Sequence, residues 1–173
     1  MEFPAADWPT LERIDRLNHA RRERELRAFA IWCVLQCQLH RSQAILLRRC
    51  IVANRLDASR RHIAMQSIWR QQASRLAGAM LIGMKHDALA ASVWIAAVSV
   101  ARPDPREAAV SAAHYARLHA ACRVDALDRV ESQSWIPQQG IPQAIAARAW
   151  AASRAMGDQC DQLDRMIREG CRT

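Results

Sequence analysis

The sequence predicts an all-α fold, a single compact bundle of about eight or nine helices spanning residues 1–173. Three observations carry that expectation. More than thirty alanines stand against five glycines and six prolines, so helix formers dominate and the few breakers mark boundaries. Two Phe, one Tyr and few β-branched runs leave little material for a sheet. Apolar residues also recur at helical spacing between legible caps. With 51% hydrophobic residues, a chain of this length can build a core that needs no staple.

Asp7 precedes Trp8 and Pro9, a cap with proline in the first turn, and Trp8, Leu11, Ile14 and Leu17 form the stripe that follows. After the charged run Arg21–Glu25 comes a helix apolar almost all round, Leu26 to Leu39. Ile45, Leu46, Cys50 and Ile51 mark a third helix, ending near Leu56. Asp57 or Ser59 caps the fourth, whose apolar positions include Ile63, Ile68, Trp69, Leu76 and Met80. Gly78 and Gly83 weaken its end, and Lys85–Asp87 reads as a turn.

The run Ala88–Ala101 is too short to cross a bilayer, which needs about 20 residues, and reads as a second buried helix. Asp104, Pro105 and Glu107 form a capping-box pattern at the head of a helix reaching about Arg123. Trp135 to Pro142, with two prolines and a glycine, reads as a long loop. Two short helices follow, about 143–156 and 158–169, with Gly157 as the stop between them.

The N-terminus is acidic and has no apolar stretch of the secretory kind, so a cytoplasmic location without a membrane is expected. The six cysteines include no C-x-x-C pair, which argues against a disulfide framework. Cys33, Cys37 and His40 lie at i, i+4, i+7, a spacing that suits a soft metal, but in so apolar a segment core packing is the expected role. No metal and no cofactor is therefore expected.

Phosphate-cradling glycine loops, H-E-x-x-H and G-x-S-x-G are all absent, and His114 and His119 fall on different faces of one helix. Five of the six tryptophans sit in apolar helical patterns and read as core; Trp135 alone reads as exposed. The expectation is a non-catalytic protein.

Charge is concentrated. Between Arg27 and Lys85 ten basic residues face one acid, Asp57, whereas Asp104 to Thr173 holds nine of each sign. The chain thus divides into a basic half, about 8–86, and a charge-balanced, Ala-rich half, about 87–173. A single-sign patch of this kind is the footprint of a phosphate-binding face. Arg41, Arg48, Arg49, Arg55, Arg60, Arg61, His62, Arg70 and Arg75 are its expected nucleic-acid-binding residues. Arg41, Arg48 and Arg55 recur every seven residues, about 10 Å apart on one side of a helix. An acidic protein partner, or simple solvation of the basic residues, would also account for the pattern.

Within the patch, residues 52–63 (VANRLDASRRHI) resemble the middle of a bacterial helix-turn-helix motif. The resemblance implies that Val52, Ala53, Leu56 and Ile63 pack two helices together. It also implies that Ser59 caps a recognition helix whose exposed first turn holds Arg60, Arg61 and His62. In size, helicity and charge the whole chain is similar to the small subunits of CRISPR ribonucleoprotein effectors, which lie along RNA or DNA strands beside other protein subunits. The leading expectation is therefore a nucleic-acid-binding subunit of a larger bacterial defence assembly. The alternatives are a DNA-binding regulator and a protein-interaction module such as a toxin-immunity protein.

Overall fold

A computed structural model describes the backbone of residues 8–86, 88–131 and 141–170, and the side chains of residues 9–72, 89–123 and 145–169. The described residues form seven helices and no strand: α1 (Trp8–His19), α2 (Glu23–Leu35), α3 (Arg41–Asn54), α4 (Ala58–His86), α5 (Ala88–Ser99), α6 (Pro105–Glu131) and α7 (Ile141–Gly170). The all-α class is as expected. The count of eight or nine is corrected, because α7 runs unbroken through Gly157.

Helix α5 lies at the centre, with α2, α3, α4 and α6 packed against it. Ala91, Ser92, Val93 and Ile95 to Val100 are all buried, as its all-round apolarity requires. Alanines 109, 112, 113 and 116 are buried on α6, and small side chains there let α2, α5 and α7 approach closely. Helix α1 packs on α7, so Ile14 and Leu17 share one apolar cluster with Leu163. Helix α2 departs from expectation at its end. It stops at Leu35, which is exposed, because the chain turns there toward α3.

Local chemistry sets the boundaries. The C-terminus of α1 closes as a Schellman turn, with the Arg21 N–H donating to the Asn18 carbonyl at 2.9 Å and the Arg22 N–H to the Leu17 carbonyl at 3.0 Å. Arg21 takes the left-handed conformation there, φ 55°, where glycine is usual. The Asp104 carboxylate accepts from the N–H groups of Arg106 and Glu107, as the capping pattern foretold. The Glu107 carboxylate accepts instead from Arg102 at 3.2 Å.

One buried charge ties the centre together. Arg27, fully buried on α2, donates to the carbonyl oxygens of Arg102 at 3.0 Å and Pro103 at 2.8 Å, just beyond the end of α5. Its other edge pairs with Glu23 at 3.0 Å. Among the described residues no helix is long and apolar enough to cross a membrane.

Candidate nucleic-acid interface

Helix α3 buries Gln43, Leu46, Leu47, Cys50, Ala53 and Asn54 along one side. The opposite side must then carry positions 41, 45, 48, 52 and 55. Arg41, Arg48 and Arg55 are indeed exposed there, one every two turns. Among the described residues no carboxylate pairs with their guanidinium groups.

Arg49 is exposed beside this row and donates to the Gln71 side chain at 2.9 Å, bridging α3 to α4. On α4, Arg60, His62 and Arg70 are exposed. Arg60 leans back on Asp57 at 3.4 Å, an ion pair open to solvent on both sides. Arg75 lies outside the described side chains, as do Trp135 and Cys171.

Arg61 is a correction. Instead of projecting from an exposed first turn, it is buried, lies 3.6 Å from Glu23 and donates to the Leu56 carbonyl at 3.1 Å. With Arg27 on the same carboxylate, it belongs to the interior. The helix-turn-helix correspondence is corrected at two further points. The cap of α4 is Asp57, whose carboxylate accepts from the Arg60 N–H at 3.0 Å, and Ser59 falls inside the helix. Val52 and Ile63, implied as inter-helix packing, are 63% and 66% exposed.

Sequence reasoning missed those aliphatic side chains. Ile45 and Val52 alternate with the three arginines at spacings of four and three, so the exposed face of α3 is not purely basic. Beside it, between α3 and α4, lies an open apolar groove of about 470 Å³ lined by Val52, Leu56, Ala64 and Ile68, with Arg48 and Arg49 at its edge. The signal was present: positions 41, 45, 48, 52 and 55 repeat like a helix-helix seam.

Three of the cysteines lie in the core, while Cys122 and Cys160 are partly exposed. Cys33, Cys37 and Cys50 are free and buried. Burial pushes the thiols of Cys37 and Cys50 up to about 12, and that of Cys33 well above its ordinary value. A thiol held neutral is a poor nucleophile and a poor metal ligand. Helix α2 ends at Leu35, so Cys37 and His40 both lie beyond it and do not share one helix face with Cys33. No cluster of three metal-ligating side chains occurs among the described residues.

No protein-family profile, curated protein or solved structure matches the chain.

Proposed function

We propose that this chain is a non-catalytic subunit of a cytoplasmic ribonucleoprotein-type assembly, binding nucleic acid through backbone phosphates along the outer face of α3. The observation that carries this reading is the row of Arg41, Arg48 and Arg55, exposed at two-turn intervals and outside every ion pair among the described residues. A guanidinium is a planar fork that grips two phosphate oxygens, and a row without acids costs no ion-pair rupture when a polyanion arrives. Arg49, Arg60, His62 and Arg70 flank the row from α3 and α4. Phosphate contacts of this kind position a strand without reading its bases, so binding has little sequence preference.

Fluorescence anisotropy with labelled single-stranded RNA and DNA of mixed sequence tests the reading. If about five phosphates are engaged, the log–log salt slope is about −3.5 for a single strand. R41E/R48E/R55E abolishes binding while the helical circular-dichroism signal is unchanged. Absence of micromolar binding at low salt, to single or double strands, overturns the reading. Retained affinity in the triple variant overturns only the mapped face.

A second reading rests on the groove beside Val52. An acidic amphipathic helix from a protein partner would set apolar anchors between α3 and α4 and carboxylates against Arg48 and Arg49. Val52→Asn separates the two: it removes the apolar anchor such docking needs, adds no negative charge to the arginine row, and leaves salt-dependent nucleic-acid binding largely intact.

A further inference from the structure

On a different part of the molecule, helices α2, α6 and α7 enclose a second cleft of about 250 Å³. Its floor is built from small side chains, Ala116 and Ala120 on α6 and Ala151 and Ala155 on α7. Two indoles flank it. Trp32, on α2, is half-buried and stacks on Phe29 with ring centroids 6.1 Å apart. Trp150, on α7, is 63% exposed, a large apolar surface held in water at the opening. Leaving that indole in water forgoes the stabilisation of burying it, and filling the cleft would recover it.

The polar groups are few and differ in kind. Arg123 and Arg154 are both exposed at the cleft, and Arg154 places its guanidinium carbon 5.4 Å from the Trp150 ring centroid. Neither arginine belongs to an ion pair among the described residues, although Asp158 also lines the cleft. Gln159 is only 2% exposed. Its side-chain N–H donates to the Ala113 carbonyl at 3.0 Å, which fixes the amide orientation, and its Oε1 has no partner. That buried amide oxygen, on a residue that lines the cleft, is costly until a donor reaches it.

We infer that this cleft is a binding site for a small planar aromatic carboxylate carrying an N–H or O–H donor on its ring. The ring lies against Trp32 and Trp150, the carboxylate meets Arg123 and Arg154, and the ring donor reaches Gln159 Oε1. The cleft falls just below the range of about 300–1,000 Å³ typical of small-molecule sites, so it takes a ligand of one or two rings. Asp158 selects further, since it repels a second anionic group. The site is independent of the α3 face, and either can fail without the other.

Isothermal titration of the full chain with indole-3-acetate, 4-hydroxyphenylacetate and 2-aminobenzoate tests the inference. At least one binds at a one-to-one ratio, and replacing its carboxylate by a neutral group weakens binding about tenfold, the usual scale for losing a charged hydrogen bond. Trp150→Ala and R123Q/R154Q each weaken it similarly; all three side chains are exposed, so the fold survives. R41E/R48E/R55E leaves it unchanged. No binding by any of the three acids at about 5 mM, beyond the weakest specific affinities, overturns the inference. So does binding of equal strength in Trp150→Ala and R123Q/R154Q.

Discussion

The guanidinium of Arg27 donates to the carbonyl oxygen of Pro103 at 2.8 Å, joining the middle of α2 to the turn between α5 and α6 across 76 residues of chain. Arg27 is fully buried, and the carbonyls of Val100 and Arg102 share it. Those oxygens lie in the turn just beyond α5, and the cation replaces the water they would otherwise need.

Arg27→Met keeps volume and removes the donors. Several buried carbonyls then lack partners, and unfolding free energy falls by about 3 kcal/mol. Urea denaturation measures it. A loss under about 1 kcal/mol would mean that solvent reaches those oxygens.

Arg60 and Arg61 are neighbours with opposite duties. Arg61→Ala strips a buried partner from Glu23 and the Leu56 carbonyl and costs about 1–3 kcal/mol, with nucleic-acid affinity unchanged. Arg60→Ala removes only an exposed pair, costs under about 0.5 kcal/mol, and weakens nucleic-acid binding. Thermal unfolding and anisotropy on both variants check the reversal.

Gly157 sits inside α7, exposed, with nothing within 4 Å of an added Cβ. Gly157→Ala therefore raises stability by about 0.5–1 kcal/mol, because alanine loses less backbone entropy in a helix. A decrease in melting temperature would mean that α7 is broken there.

His119 is buried on α6, and its Nε2 accepts from the Gln38 N–H at 3.2 Å, so the ring is neutral. Burial first, and then Arg123, holds it below its ordinary 6.5. In the window below 6.5 the unfolded chain binds the proton more readily than the folded one. Its stabilisation is therefore complete above 6.5 and is lost as pH falls through the folded value. His119→Gln, which can still accept from Gln38, flattens stability against pH in that window. An unchanged slope would assign the effect to other groups.

Much of the fold was legible in the residues themselves. The helical class, the cap at Asp104, the burial of Cys33 and Cys37 and the exposed row of Arg41, Arg48 and Arg55 follow from composition, capping chemistry and helical period. These are local properties, set within a turn or two of chain. Tertiary structure decided the rest. Arg27 and Arg61 look like any other arginine in a basic segment until α2 brings Glu23, and the turn beyond α5 brings its carbonyls, to a place where water is excluded. Gly157 has the sequence of a stop, yet α1 and α6 pack along α7 and hold it helical. Ile45, Val52, Ile63 and Trp150 have the hydrophobicity of core residues and stand in solvent. Whether an apolar side chain is covered depends on which helix arrives opposite it, and that is a property of the packed chain as a whole.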